Sequence, residues 1–236
     1  MVDKYNEYLE YNEILDSKFI KKFNDKFIND NNLGNYYDAT IIDFLYPDMA
    51  SYLKDQKKII INTDLFIKKA LNCINYDPFD LHPSIVNRLN MLMISTLYHE
   101  LYHVMQIKEL NEGENKVIKA LIEDSLETVK NNPTLYKRVY KYIPVEWNSN
   151  LNAEINLAKF LKLNNPKIKQ LYNLGYYMCD GKIIHPLELY LYYSNKDYYK
   201  YYLLNSSDYK NLSLEDKILY GLPINCEDHE KVLYKL

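Results

Sequence analysis

Residues 96–106 read Thr96-Leu97-Tyr98-His99-Glu100-Leu101-Tyr102-His103-Val104-Met105-Gln106. This is HExxH, and it falls inside the longest periodic stretch of the chain. Pro83 suits a first helical position. Apolar residues then recur at Ile85, Val86, Leu89, Leu92, Met93, Leu97, Leu101, Val104 and Met105, through to Leu110, before Asn111-Glu112-Gly113 closes the pattern. The spacing predicts one long amphipathic helix. Residues four apart on a helix share a face, so His99 and His103 can reach one zinc ion at about 2.0–2.1 Å. Glu100 is turned from that face by about 100°. It can stand beside the ion without ligating it and take a proton from a water whose pKa zinc lowers to about 7. The plain alternative is a helix with two surface histidines and a solvated glutamate. Two imidazoles and a carboxylate in the middle of an amphipathic helix, close to a core, argue for a reason to be there.

Outward from the motif, Lys57–Asn62 (KKIIIN) is the best strand pattern, three consecutive β-branched residues entered from a polar turn. Thr63-Asp64 can cap a helix to about Ile74. Residues 3–30 carry Tyr5, Leu9, Ile14, Phe19, Ile20, Phe23 and Phe27 at helical spacing, which reads as two short helices. Residues 40–56 give no clear pattern. Further helices are expected at 115–130, 134–142 and 144–163, with Pro133 and Pro144 as starts, at Pro186 to about Leu204, and after Ser213 to Gly221. The expected fold class is α+β, mostly helical, with a small sheet next to the HExxH helix. No repeat, linker or clear boundary interrupts the chain, so one domain over 1–236 is expected, with a core at about 57–163 and helical extensions on both sides.

A catalytic zinc site takes three protein ligands and keeps one position open. The sequence HExxHxxGxxH is absent, because Glu109 stands six residues after His103; that excludes the metzincin pattern. The third ligand is therefore sought among acids of Ile143–Phe160, IPVEWNSNLNAEINLAKF. Glu146, in the first turn after Pro144, ranks ahead of Glu154. Glu154 lies two turns on and about 80° around the helix. Asn150 lies one turn beyond Glu146, where a polar side chain can orient a ligand histidine through its second nitrogen. The ordinary fate of either acid is a solvated helix face.

His99-Glu100-x-x-His103 followed by Glu146-x-x-Ser149-Asn150 resembles the gluzincin arrangement of the thermolysin-like peptidases, HExxH then NExxSD. Val145 stands for the Asn and Asn150 for the Asp. The run is also similar to small metallopeptidases of bacteria and phages, and distantly to ImmA/IrrE-type peptidases. The likeness covers roughly residues 57–163. It implies a zincin-like fold, zinc held by His99, His103 and Glu146, Glu100 as general base, and Asn150 behind a ligand histidine. A peptidase also needs an oxyanion stabiliser. His185 is one candidate and His229 another, and a lone His of this kind is more often structural.

Composition bounds the partners. The chain has 236 residues, 47% hydrophobic, with formal net charge -3, which gives no electrostatic reason to expect nucleic acid. Only 5 glycines argue against Gly-rich phosphate loops. The 26 tyrosines read first as the mark of an A+T-rich genome. Cys73, Cys179 and Cys226 form no CxxC pair, which fits a reducing compartment. The stretch MVDKYNEYLEYNE lacks the features of a Sec-type signal peptide, and no apolar run approaches the roughly 20 residues that span a bilayer. A cytoplasmic location is expected, in the host cytoplasm for a phage- or mobile-element-encoded chain.

The expected function is a zinc-dependent peptidase acting on a peptide or protein substrate. One alternative is a non-catalytic metal-binding structural or interaction protein that keeps the zincin fold. A di-iron helical bundle would use the ExxH of Glu100 and His103 twice, and no second ExxH exists.

Overall fold

A computed structural model describes residues 14–74, 83–161, 177–179, 182–196 and 204–224. The chain divides into two compact units, Met1–Ile107 and Lys108–Leu236.

In the first unit, α1 (Ser17–Asp30) begins at Asp16, whose Oδ1 accepts the Phe19 N–H at 2.7 Å. This caps one of the donors that every helix start leaves without a partner. Phe19, Ile20, Phe23, Asn24 and Ile28 form its buried face. The helix ends where Asn32 enters the left-handed region at φ 55°, a conformation Asn tolerates. Of the two short helices expected over 3–30, the earlier falls on residues outside the described ones.

The sheet comprises β1 (Ala39–Ile42), β2 (Ala50–Leu53) and β3 (Lys58–Ile61), in the order β1-β3-β2. The KKIIIN stretch supplies β3, the central strand, parallel to β1 and antiparallel to β2. Its Ile59 and Ile61 are fully buried, and Ile60 on the other face is 9% exposed. Side chains alternate between faces along a strand, so β-branched residues pack on both sides. Residues 40–56, which gave no clear pattern, hold the two outer strands. β2 is half-buried throughout and so lacks the apolar alternation that announces a strand.

Helix α2 (Thr63–Ile74) follows directly. The expected cap at Thr63-Asp64 shifts back to Asn62, whose Oδ1 accepts the Leu65 N–H at 2.9 Å. The amide of Asn62 also donates to the Phe44 and Tyr46 carbonyls, at 2.9 and 2.8 Å. One buried side chain thus ties the β1–β2 loop to a helix start. Helix α3 (Pro83–Glu112) carries HExxH. Its Leu97, Leu101 and Val104 are fully buried, while Tyr98 and Tyr102 meet the α1 rings. Tyr98 lies edge-on to Phe23 with centroids 5.0 Å apart, and Tyr102 edge-on to Phe27 at 5.9 Å.

In the second unit, α4 (Lys116–Asn131), α5 (Pro133–Val139) and α6 (Pro144–Phe160) are joined by short turns, with a 3-10 turn at Tyr140–Tyr142. Asn115 and Asn132 cap the first two, and prolines occupy the first turns of α5 and α6. A hairpin of β4 (Tyr177–Cys179) and β5 (Lys182–Ile184) precedes α7 (Pro186–Ser194), α8 (Ser207–Lys210) and α9 (Leu214–Leu219). The helix expected from Pro186 to about Leu204 closes at Asn195, in the left-handed region at φ 61°. The described chain is mostly helical with a small sheet, an α+β arrangement.

Two features lock this unit. Trp147 Nε1 donates to the Ile218 carbonyl at 3.1 Å, holding α6 to α9. Beside it Gly221 adopts φ 65°, and a Cβ there would stand 2.9 Å from Pro186 Cβ and 3.3 Å from Trp147 Cδ1. Elsewhere the hydroxyl of Tyr190, 1% exposed, donates to Asp124 Oδ2 at 2.5 Å and lies 2.7 Å from Thr128 Oγ1. Lys196 forms an ion pair with Asp124. Burial and the hydrogen bond to Asp124 push the Tyr190 phenol well above its ordinary pKa. No helix among the described residues is long and apolar enough to cross a membrane.

Candidate metal centre

Helix α3 presents His99 and His103 one turn apart, both partly exposed. Their Nε2 atoms lie 3.0 Å from each other, and the rings stand at 86° with centroids 4.6 Å apart. Two nitrogens on one tetrahedral ion at ordinary Zn–N lengths would be roughly 3.3 Å apart. The pair is therefore within a few tenths of an ångström of the spacing that a shared ion demands.

The second nitrogen decides which tautomer is available. His103 Nδ1 lies 2.9 Å from Gln106 Oε1. An amide oxygen only accepts, so Nδ1 carries the proton and Nε2 is the acceptor nitrogen of the ring. Gln106, 4% exposed, is thus the orienting partner of His103. It comes from the same helix three residues on, the i,i+3 spacing that places side chains in contact. From sequence alone Gln106 had no task. Its signal was a polar residue one turn past the second histidine.

Glu100 projects to the side. It is 7% exposed, and its Oε2 accepts the backbone N–H of Tyr52, on β2, at 2.7 Å. The short strand that sequence reasoning passed over therefore supports the central residue of the motif. The Tyr52 hydroxyl donates to the Tyr36 carbonyl at 2.6 Å, and burial raises its pKa to about 12.

In the second unit, Glu146 sits in the first turn of α6. Carboxylates there are favoured by the positive end of the helix. Its residue is only 6% exposed, unlike the solvated acid that a helix start usually carries. Glu146 Oε1 accepts from the Tyr136 hydroxyl of α5 at 3.2 Å. Glu154, two turns on, is partly exposed, and Asn150 is exposed. His185 is 5% exposed at the start of α7. Its N–H donates to Glu188 Oε2 at 3.2 Å, a helix-start contact that gives it structural work. His229 lies outside the described residues.

No family model, curated protein or solved structure matches the chain. The residues and their surroundings alone carry the functional reading.

Proposed function

We propose that the chain is a zinc-dependent peptidase of zincin-like fold, with His99, His103 and Glu146 as ligands and Glu100 as general base. The observation that carries this reading is the histidine pair: two Nε2 atoms 3.0 Å apart, with the second nitrogen of His103 on an amide oxygen. Further support is that Glu146, in the first turn of α6, is a buried carboxylate rather than a solvated helix acid. Two imidazoles and a carboxylate with an open fourth position is a hydrolytic zinc donor set.

When bound, zinc supplies Lewis acidity, lowering the pKa of a water and polarising a carbonyl. The chain does the rest. Gln106 holds His103 in the ligating tautomer. Glu100, fixed through Oε2, keeps Oε1 to take the proton of the attacking water. It then returns that proton to the departing amine, as a general base turned acid. Asn150 and His185 stand as candidates for the supporting and oxyanion roles.

The test is elemental analysis of protein purified without chelator, with about one zinc per chain expected for such a site. His99→Ala and His103→Ala should each abolish the bound metal. A wild-type chain devoid of transition metal would sink the proposal. Glu100→Gln should retain the metal and lose cleavage of labelled casein; retained cleavage would remove Glu100 from its role.

A further inference from the structure

The contact between Glu100 and Tyr52 follows from the strand register. Asn62 N–H donates to the Met49 carbonyl at 2.9 Å, so Met49 and Asn62 stand at a hydrogen-bonded position of the ladder. Hydrogen-bonded and non-hydrogen-bonded pairs alternate along an antiparallel ladder. With Ala50 opposite Ile61, Ser51 opposite Ile60 and Tyr52 opposite Ile59, the bonded pair after Met49 is Ser51. Ala50 and Tyr52 therefore turn their backbone groups away from β3. β2 is an outer strand of the sheet, and its outward amides are what an open edge exposes. The Tyr52 amide ends on a carboxylate oxygen of a residue 7% exposed.

The geometry points to the Tyr52 backbone amide as the positioning group for Glu100. It fixes one carboxylate oxygen and so aims the other. This rests on the reading of Glu100 as the base. A glutamate side chain has three rotatable bonds and loses rotamer freedom when fixed. A base within reach of its proton must already have lost it. A backbone donor on a strand is a stiffer anchor than a side chain, because its direction is set by the ladder on the other side of β2. The choice of a main-chain donor also means that no residue type at position 52, other than proline, removes the contact. That explains why no sequence motif marks it.

Tyr52→Pro deletes the donor. Because the Tyr52 N–H faces away from β3, proline removes no ladder bond there, which is the position that edge strands allow it. Tyr52→Ala keeps the donor and removes the ring and its bond to Tyr36, so the difference between the two variants isolates the amide. Two measurements on the full chain decide the matter. The first is backbone amide exchange read by NMR. In wild type the Tyr52 amide should exchange slowly although it lies outside the ladder. Glu100→Ala should accelerate it at least about tenfold and leave the Ser51 amide unchanged. Fast exchange in wild type, or no response to Glu100→Ala, overturns the contact. The second is hydrolysis of labelled casein by the zinc-loaded chain. Relative to Tyr52→Ala, Tyr52→Pro should lose roughly 10- to 100-fold in kcat, the usual cost of removing an orienting partner, with KM and zinc content unchanged. Equal kcat in the two variants overturns the positioning role. If wild type cleaves nothing, the peptidase reading fails, while the exchange measurement still decides whether Tyr52 holds Glu100.

Discussion

The HExxH turn of α3 and the Tyr190–Asp124–Thr128–Lys196 cluster of the second unit are both polar groups set among apolar side chains. They are assembled in opposite ways. His99, Glu100, His103 and Gln106 come from two turns of one helix, so the helical repeat alone determines which of them meet. Tyr190 reaches Thr128 and Asp124 across 62 and 66 residues of sequence, and only the packing of α7 on α4 brings them together. The tyrosine cluster closes on itself: a phenol, a carboxylate, a hydroxyl and an ammonium satisfy one another. The histidine pair instead leaves two like nitrogens face to face, a contact in which at most one can donate to the other. A cluster that completes itself stabilises a fold. The histidine pair sets two ring nitrogens of one helix 3.0 Å apart, the spacing on which the proposed zinc site rests.

Variants can break or sharpen that contrast. Glu146→Ala should have the largest effect. Loss of a ligand should weaken zinc binding by more than about 100-fold, beyond the range typical of an orienting partner, as read by competition with a chromophoric chelator. If Glu154→Gln has the larger effect instead, the third ligand passes to Glu154. Gln106→Ala should weaken zinc about 10- to 100-fold, and Gln106→Glu should restore binding because a carboxylate also accepts from Nδ1. Zinc affinity indifferent to Gln106 would show that the tautomer is set by other means.

Tyr190→Phe should act on the other side of the comparison. It leaves Asp124 and Thr128 short of a partner in a buried setting, at a cost of about 2 kcal/mol, measurable as a lower urea midpoint. Zinc affinity should not change; a coupled loss of both would erase the distinction between the two clusters.

The smallest expected effect is alkaline. Burial raises the Tyr37 phenol to about 12, the Thr40 hydrogen bond opposing and Asp25 adding to the rise. Unfolded, a tyrosine titrates near about 10. The folded chain therefore holds the proton more tightly. The stability this contributes is complete below about pH 10 and is lost as pH rises through about 12. Urea midpoints should fall across that window, and Tyr37→Phe should flatten the fall. A midpoint that holds steady up to pH 12 would contradict the burial of these phenols.

The same contrast explains what the sequence disclosed. The long helix, β3 and the helices starting at Pro133, Pro144 and Pro186 were legible because periodicity and proline act locally. So was the histidine pair. β2 was not, because four half-buried residues give no alternation. Nor was the Tyr52 amide, because a main-chain donor has no residue signature. The cap at Asn62 was displaced by one residue from the expected Thr63, since Asn and Thr compete for the same role and only the turn geometry chooses between them. The contact to His103 Nδ1 comes from Gln106, three residues on along the same helix, where the helical repeat alone brings the two side chains together.

Gly221 has a consequence for how this chain can drift. The chain has only 5 glycines in 236 residues, and at this one any other residue would bring a Cβ to 2.9 Å from Pro186 at a φ of +65°, so a substitution there meets both a collision and a left-handed backbone. In a library of random single-codon changes, position 221 should therefore return as glycine among folded survivors. Gly34, where a Cβ would meet nothing within 4 Å, should accept substitution.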